Sequence, residues 1–385
     1  MRALTMTATM ENDAGPRRVR TAAYYLGYVC IGLMDSSLGP TLGWLAAHAS
    51  TTAESAGVLI AARCTGYVLG AVVAGRFFDR LPGHRIMAAG LVCTAGAFAQ
   101  VPGFASLGAL VVAFAFAGAG AGAVDVGGNT LLAWTYGDRV GPYLNGLHFF
   151  FGVGSAVTPF FVGAAFARGV DLAWVYWTIA ALFAILGVFV AALPSPPRRV
   201  VSAAEAGAPL RHGRLIALVA LSLMAYVGIE LGFGSWIFTY ATSRRSMSDA
   251  HGSYLNSVYW AAFTLGRLAS IPAIAQLTHG YEARASKVAA PARALRSVLE
   301  AAQIGAAIAL AILFVSHESA TLWIGSALLG LSIGPIFPTL IGVAEQRLKL
   351  SGPLTSIFLA GGGIGGIAIP WFIGKAMQKF GTGAM

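Results

Sequence analysis

The chain has 385 residues, of which 57% are hydrophobic and only 10% are charged, and its formal net charge is +10. This apolar content exceeds what a soluble domain of this length needs for its core, so it excludes a water-soluble protein and predicts an all-α membrane protein. The three cysteines, Cys30, Cys64 and Cys93, lie in apolar runs without the spacing of a disulfide framework or a metal site.

Eleven apolar runs are long enough to cross a bilayer, which takes about 20 helical residues. Residues 1–20 are a predicted cytoplasmic tail that lacks the apolar core of a signal peptide. A six-helix bundle is predicted over 21–193, a cytoplasmic linker over 194–213, and a second bundle with five visible helices over 214–385. The predicted spans are 21–47, 55–78, 85–103, 106–136, 142–167, 171–193, 214–241, 252–276, 298–316, 319–344 and 354–376.

Basic residues are distributed unevenly between the two sides of this predicted membrane domain. With the N-terminus in the cytoplasm, 18 of the 25 lysines and arginines lie in cytoplasmic segments and five lie outside, while Arg63 and Arg267 lie within spans. This bias follows the positive-inside rule and predicts a multi-pass protein of the inner (plasma) membrane with a cytoplasmic N-terminus. The basic charge is therefore explained by topology and indicates no nucleic-acid partner.

The two halves of the chain contain an internal repeat. Glycines and prolines of the fifth span recur in the eleventh at a constant offset of 211: Gly141, Pro142, Gly152, Gly154, Pro159 and Gly163 match Gly352, Pro353, Gly363, Gly365, Pro370 and Gly374. Two pseudo-symmetric bundles around a midplane site are therefore predicted. By this alignment no partner of the sixth span is present, and the sequence leaves open whether a twelfth helix is missing by truncation or the protein works with eleven.

The fourth span contains the alternating sequence Ala117–Ala123, which superficially resembles a nucleotide-binding glycine pattern. No strand precedes it and it lies in the middle of a predicted span, so a phosphate-binding loop is excluded. Small residues let helix backbones approach one another, and close helix packing is the prediction here.

A polar pattern lies between the second and third spans, in residues 75–85. Its five characteristic residues are Gly75, Asp79, Arg80, Gly83 and Arg85. Asp79 is expected to cap a helix start and hold basic side chains, and Gly75 to allow close helix approach. The pattern resembles the cytoplasmic-loop signature of the major facilitator superfamily, Gly-x-x-x-Asp-Arg-x-Gly-x-Arg, with one residue inserted before Gly83.

Four further segments, 124–130, 137–149, 259–267 and 336–339, resemble the branch of that superfamily that contains sodium-dependent glucose transporters and fucose–proton symporters. The resemblance implies the major facilitator fold and a secondary active transporter rather than an enzyme. It implies a monosaccharide substrate and no cofactor other than a coupling proton or sodium ion. In fucose symporters, carboxylates on the first and fourth helices serve proton coupling and sugar binding, and Asp35 and Asp125 match those positions.

Five charged residues lie within the apolar runs: Asp35, Arg63, Asp125, Glu230 and Arg267. Each costs about 2.5–3.5 kcal/mol at the bilayer centre, so together they indicate a polar cavity inside a membrane bundle. Asp35, Asp125 and Glu230 are candidates for ion coupling. The two arginines are expected to pair with carboxylates, because an arginine cannot neutralise itself by losing a proton.

An alternative role for Asp35 is a cap at a helix break, since Gly39 and Pro40 follow it closely. A glycine-broken stretch at 231–236, next to Glu230, corresponds to that break in the second half. Discontinuous helices at matched places in two halves indicate a substrate site, which makes Trp236 a candidate for substrate binding.

Polar residues at helical spacing complete the predicted substrate site. Asp125 and Asn129 share one face of the fourth helix, and Asn145 and His148 share one face of the fifth, where His148 is a candidate proton-sensitive ligand. Three residues share a face of the eighth helix as an aromatic plate with an amide: Asn256, Tyr259 and Trp260. Hydrogen bonding between helices and aromatic packing are the alternatives for these residues.

Three functions remain open at this point. The first is an ion-coupled importer of a monosaccharide or a similar small polyol, acting as a monomer in the lipid bilayer. The second is a drug or metabolite exporter, although such exporters favour apolar cavities. The third is an intramembrane enzyme that uses Ser235 with His148, but the duplication of the chain would then be unexplained.

Overall fold

A computed structural model describes residues 2–78, 80–197, 213–284, 289–315, 318–348 and 352–385. Over these ranges the secondary structure is helical, with no strand. The α-helices are α1 (Arg2–His48), α2 (Ala53–Ala56), α3 (Val58–Phe78), α4 (Gly83–Gln100), α5 (Leu107–Tyr136), α6 (Gly141–Arg168), α7 (Ala173–Ala192), α8 (Gly213–Arg245), α9 (Asp249–Arg284), α10 (Ala290–Val315), α11 (Ser319–Ile333), α12 (Ile336–Leu348) and α13 (Gly352–Phe380).

Nine helical segments of the described chain are long and apolar enough to cross a membrane. They coincide with the second to the tenth of the predicted spans, and the first and eleventh predicted spans lie within helices α1 and α13. Large apolar side chains remain on the outer surface, such as Val188 at 71% and Phe314 at 86% exposure. Such a surface suits lipid as the surrounding solvent, and the prediction of an all-α membrane protein is confirmed.

Helix packing repeats between the two halves of the molecule. In the first half α1 packs along α6 and α3 along α5, while in the second half α8 packs along α13 and α9 along α11. The two pseudo-symmetric bundles predicted from the repeat are therefore present. The predicted linker falls mostly in residues 198–212, which lie outside the described residues, and the exact domain boundaries stay a prediction.

Matched glycines permit the closest helix contacts. A Cβ atom added at Gly154 on α6 would lie 2.1 Å from the carbonyl oxygen of Val29 on α1. A Cβ atom at Gly365 on α13 would lie 1.9 Å from the carbonyl oxygen of Met224 on α8. These two glycines are 211 residues apart, so the sequence repeat reflects one steric requirement that occurs twice.

The alternating alanine–glycine segment of α5 packs closely, as predicted. A Cβ atom at Gly118 or Gly122 would lie 2.0 or 2.1 Å from a carbonyl oxygen of α3. At Gly330 and Gly334, at the end of α11, the same addition would meet carbonyl oxygens of α9 at 2.3 Å. The α3–α5 and α9–α11 pairs thus share one packing mode.

The predicted helix breaks are wrong. Helix α1 runs without interruption through Gly39 and Pro40, and α8 runs through 231–236. Proline and glycine are tolerated inside membrane helices because neighbouring helices satisfy the freed backbone groups. The break lies instead in the tenth predicted span, where Gly334 and Pro335 separate α11 from α12.

The loop motif is only partly as predicted. A Cβ atom at Gly75 would meet nothing within 4 Å, so the expected close helix approach does not occur at this glycine. The N-cap of α4 is Pro82, which makes no side-chain capping bond, and Asp79 lies outside the described residues. Arg80 and Arg85 are exposed.

The other motif glycine, Gly83, packs tightly where α4 begins, because an added Cβ atom would lie 2.5 Å from Leu131 on α5. The next residue, His84, is buried and connects three helices. Its Nε2 lies 2.7 Å from the hydroxyl of Tyr24, and its Nδ1 lies 2.9 Å from the carbonyl oxygen of Leu193. This end of the motif is therefore a packing centre of the first bundle.

The two halves meet at the end of the bundle where α1, α6, α8 and α13 finish, which we call the closed end. There Ser257 Oγ donates to the carbonyl oxygen of Ala156 at 2.7 Å, and the rings of Phe166 and Phe238 stack at 6.0 Å. At the opposite end, the buried core cluster around Leu223 contains residues of the second half only, as far as the described chain shows. These contacts join the two halves at the closed end.

Candidate functional site

Asp125 lies at the centre of a hydrogen-bonded group in the first half. The hydroxyl of Tyr28 on α1 donates to its carboxylate, and Tyr67 on α3 also hydrogen-bonds the same carboxyl group. The amide of Asn129 donates to the Tyr28 hydroxyl at 2.5 Å and to the Asp125 carbonyl oxygen at 3.0 Å. Two phenols and an amide thus surround a carboxylate that has no arginine beside it among the described residues.

Asp35 on α1 forms a salt bridge with Arg63 on α3. The side chain of Arg63 is 4% exposed and that of Asp35 is 10% exposed, so the pair is buried between the two helices. Arg63 Nη2 also lies 3.4 Å from the sulfur of Cys64. Removing one partner of such a pair would leave an uncompensated charge in a medium of low dielectric constant.

The second half contains a comparable group, in which a tyrosine lies between the two charges. Arg267 Nη2 on α9 donates to the Tyr226 hydroxyl at 3.0 Å, and Tyr226 hydrogen-bonds the carboxylate of Glu230 on the same helix, α8. Arg267 Nε donates to the carbonyl oxygen of Gly334 at 3.3 Å, at the break between α11 and α12. Its guanidinium lies 4.6 Å from the ring centroid of Phe263.

His148 on α6 lies between these groups. Its ring contacts Tyr28 edge-on at 6.0 Å and Phe337 on α12 at 5.9 Å, so it touches both halves. It is half-buried, and no hydrogen bond to its ring nitrogens occurs within the described residues. The imidazole is therefore available to a solute between the bundles.

The charged side chains form one electrostatic unit, which we call the central cluster: Asp35, Arg63, Asp125, Glu230 and Arg267. Asp35 interacts with Asp125 in its own half and with Glu230 across the two halves. Three carboxylates face two guanidinium groups, so the ionised cluster carries one net negative charge. Within the described ranges, no three metal-ligating side chains come together in a way that would hold a metal ion.

The remaining predicted residues are placed differently. Tyr259 is fully buried and its hydroxyl donates to the carbonyl oxygen of Glu230 at 2.9 Å, which is a packing role. Trp236 is fully buried and its indole N–H donates to the carbonyl oxygen of Pro370 at 2.8 Å, so it seals the closed end instead of facing the central cluster.

Asn145 is exposed, and no hydrogen bond among the described residues ties it to the cluster. Asn256 and Trp260 are buried on α9, close to the closed end. The amide of Asn256 donates to the carbonyl oxygen of Gly234 at 2.9 Å, and the Trp260 ring lies edge-on to Phe151 of α6. Of the predicted substrate residues, Asp125, Asn129 and His148 are therefore the ones brought together around Tyr28.

Sequence reasoning missed three tyrosines at the centre of the site: Tyr28, Tyr67 and Tyr226. Each lies one or two helical turns from a membrane charge, at i−7 from Asp35, i+4 from Arg63 and i−4 from Glu230. Residues at these spacings share a helix face, so a tyrosine next to each charge was a usable signal.

Comparison with known proteins identifies the family of this helical bundle. Residues 24–370 match the Major Facilitator Superfamily. The chain belongs to the major facilitator superfamily. It is 25% identical to the sodium-dependent glucose transporter 1A of Mus musculus, over 91% of this chain and 88% of the relative. It is 24% identical to the human sodium-dependent glucose transporter 1, over 93% of this chain and 73% of the relative.

Among solved structures, the D-xylose-proton symporter is similar with a TM-score of 0.71 and 13% sequence identity, over 94% of this chain and 90% of that structure. At this identity the likeness supports the major facilitator fold alone. The protein is thus a multi-pass integral membrane transporter and not an enzyme, which excludes an intramembrane enzyme that uses Ser235 with His148.

Proposed function

We propose that this protein is a secondary active transporter that moves a monosaccharide or a similar small polyol by alternating access, coupled to a proton or a sodium ion. The observation that carries the proposal is the central cluster, where three carboxylates and two arginines from both halves lie close enough to interact electrostatically. Buried ionisable groups inside a membrane bundle mark solute and ion pathways.

The groups next to the cluster favour a hydroxyl-rich solute. Tyr28 and Asn129 offer donors and acceptors beside the Asp125 carboxylate, and His148 adds ring nitrogens that are not already bonded within the described chain. Such a mixture of short polar groups matches the vicinal hydroxyls of a sugar, each of which donates and accepts. The similarity to sodium-dependent glucose transporters of mouse and human supports the same class of solute.

The charge balance favours coupling to a cation. Because the ionised cluster carries one net negative charge, adding a proton or a sodium ion would neutralise it and lower the cost of its burial. Asp125 is the leading candidate for this ion, since its described partners are phenols and an amide rather than an arginine. Asp35 and Glu230 remain candidates, and each is held near an arginine.

The positive-inside bias of the sequence puts the closed end on the outer side of the membrane. In that orientation the conformation is open to the cytoplasm, and transport requires a second state that is open outside. We further propose that the protein acts as a monomer in the inner (plasma) membrane, because each molecule contains both halves of the site.

The proposal is tested with purified protein in nanodiscs by thermal shift. D-Glucose, D-xylose, L-fucose and mannitol are compared at equal concentration, in sodium and in choline buffer, at two pH values. At least one sugar should raise the melting temperature, and sodium or low pH should increase that shift, because a ligand that binds the native state stabilises it. If organic drugs shift the melting temperature and no sugar does, the exporter function replaces this one.

A further inference from the structure

Three side chains on α9 carry a buried polar atom without a hydrogen-bond partner in the described chain: Ser253 Oγ, Asn256 Oδ1 and Trp260 Nε1. These residues are 0%, 0% and 2% exposed. Leaving one buried polar group unpaired costs about 1–3 kcal/mol, and native proteins contain few such groups. Three of them within two helical turns therefore indicate a role that this conformation does not show.

The three residues belong to one stripe of α9. Ser253, Asn256 and Trp260 are spaced by three and four residues, which places them on the same helix face. The same spacing continues through Thr264 to Arg267 of the central cluster. We call these five residues the α9 stripe, and it runs from the closed end of the bundle to the predicted coupling site.

The first half of the molecule covers this stripe closely. An added Cβ atom at Gly39 of α1 would lie 3.3 Å from Asn256 Nδ2 and 2.9 Å from the carbonyl oxygen of Ser235. One at Gly152 of α6 would lie 2.1 Å from the Thr264 hydroxyl. Asn256 and Thr264 are thus covered by the first half, and α1 and α6 approach them closely because they present glycines there. Trp260 contacts Phe151 of α6, and Ser257, one turn after Ser253, bonds the Ala156 carbonyl oxygen of α6.

We propose that the α9 stripe is the solute-binding path of the opposite, outward-open state, and that its unpaired atoms bind a neutral polyhydroxylated solute. Separation of the halves at the closed end would uncover the stripe. Trp260 can then donate, Asn256 Oδ1 can accept, and the Ser253 hydroxyl can do either. Adjacent solute hydroxyls supply all the matching partners, and the stripe offers no charge for an ionic solute before Arg267. This inference rests on the proposed transport of a polyol.

The same unpaired atoms would also act on the conformational equilibrium. When the halves close over the stripe, these atoms lose contact with solvent and solute. The free energy of the closed state rises because the atoms stay unpaired. Solute or water that pairs them favours the open state, which is the differential interaction that a ligand needs to shift a two-state equilibrium.

The accessibility of the stripe is tested by cysteine labelling, which needs no solute. Ser253→Cys is placed in a protein whose Cys30, Cys64 and Cys93 are replaced by alanine, and its reaction rate with a membrane-impermeant maleimide is measured in nanodiscs. Gly39→Ala should raise this rate about tenfold, which corresponds to destabilising the closed state by about 1.4 kcal/mol. The matched control Gly43→Ala, where a Cβ atom meets nothing within 4 Å, should leave it unchanged.

Solute contact is tested by thermal shift with the sugar that stabilises the unsubstituted protein most. Trp260→Phe should weaken sugar affinity at least about tenfold and leave the melting temperature without sugar unchanged or higher, since it removes only an unpaired atom. Asn256→Leu should weaken sugar affinity to a similar extent, but it should lower the melting temperature because it also removes the hydrogen bond to the Gly234 carbonyl oxygen. Ser270→Ala is the control, because that hydroxyl already bonds the Arg267 carbonyl oxygen at 2.7 Å, and it should keep full affinity.

The outcomes separate the two proposals. Equal labelling rates in Gly39→Ala and Gly43→Ala would overturn the path, and normal sugar affinity in both stripe variants would overturn the contacts. If no sugar stabilises the unsubstituted protein while labelling still responds to Gly39→Ala, the polyol function fails and the path remains, for a different solute.

Discussion

At the scale of single residues, the site combines charges that are paired in different ways. Asp35 contacts Arg63 directly, Glu230 reaches Arg267 through Tyr226, and Asp125 is held by phenols and an amide. These three carboxylates therefore differ in how much positive charge lies next to them. We therefore expect substitutions of the three carboxylates to have different effects.

The first residue-scale prediction concerns coupling. Asp125→Asn keeps the shape of the side chain and removes its charge, so it should abolish uphill sugar accumulation and leave downhill exchange at least partly intact. Asp35→Asn is made in parallel, and both are measured in proteoliposomes with an imposed proton or sodium gradient. If both single variants still concentrate sugar, neither residue couples the ion, and Glu230 becomes the candidate.

The second prediction concerns the buried ion pair. Arg63→Gln should destabilise the protein by about 3–5 kcal/mol, because Asp35 is left as an uncompensated buried charge. The double variant Arg63→Gln with Asp35→Asn should recover much of that loss, since both charges are gone. Arg85→Gln at an exposed position is the control, and thermal unfolding in nanodiscs gives the comparison. Equal melting temperatures for the single and double variants would show that the pair is not coupled.

The third prediction concerns the bridging tyrosine. Tyr226→Phe removes two hydrogen bonds to charged groups, each worth about 1.5–3 kcal/mol, and should lower sugar transport by at least about tenfold. Tyr259→Phe on α9 is the matched control, because the Tyr259 hydroxyl bonds only a backbone carbonyl oxygen in the described structure. It should change stability slightly and transport little. If Tyr259→Phe lowered transport more than Tyr226→Phe, the hydrogen-bonded link from Glu230 to Arg267 through Tyr226 would be contradicted.

At the scale of helices, matched glycines decide how the elements pack. Gly154 and Gly365 bring α6 onto α1 and α13 onto α8, at positions related by the sequence repeat. The same helices carry Tyr28 and Asp35 on α1, and Tyr226 and Glu230 on α8, which belong to the central cluster or contact it. Glycine at these positions therefore affects both how closely the helices pack and where the side chains of the site lie.

A fourth prediction follows at this scale. Gly154→Ala should lower stability by about 1–3 kcal/mol, because the added methyl group overlaps the backbone of α1 and forces the helices apart. Gly365→Ala should have a similar effect in the second half. Gly43→Ala on α1 meets open space and serves as the control. Thermal unfolding measures all three, and an unchanged melting temperature for Gly154→Ala would refute the close approach.

At the scale of the whole molecule, the two bundles contact each other at the closed end. The hydrophobic effect does not decide which end of the bundle faces the cytoplasm, because both ends lie where the lipid bilayer meets water. The proposed orientation rests on the basic residues in the loops.

The fifth prediction tests that orientation. A short epitope inserted at the loop after Arg245, which joins α8 to α9, should be reached by antibody from outside intact cells. The same epitope in the loop between α3 and α4, near Arg80, should be reached only after permeabilisation. The opposite pattern would reverse the proposed topology and place the closed end in the cytoplasm.

The class of fold, the eleven apolar runs and the duplication could be predicted from the chain alone, because hydropathy and glycine spacing are local properties of the chain. All five charges of the central cluster could also be located, since an ion in an apolar run stands out without any tertiary information. The helix breaks at Gly39-Pro40 and 231–236 were wrong, because composition does not reveal whether a neighbouring helix satisfies the backbone.

Which side chains contact one another could not be predicted from the chain and depends on the packing of the helices. The pairing of Asp35 with Arg63, the bridge through Tyr226 and the burial of Trp236 depend on how each helix is rotated and which helix lies beside it. The true break at Gly334-Pro335 and the unpaired stripe on α9 depend on it as well. Such contacts join residues far apart in the chain, and local periodicity places a residue on a face without saying what that face will touch.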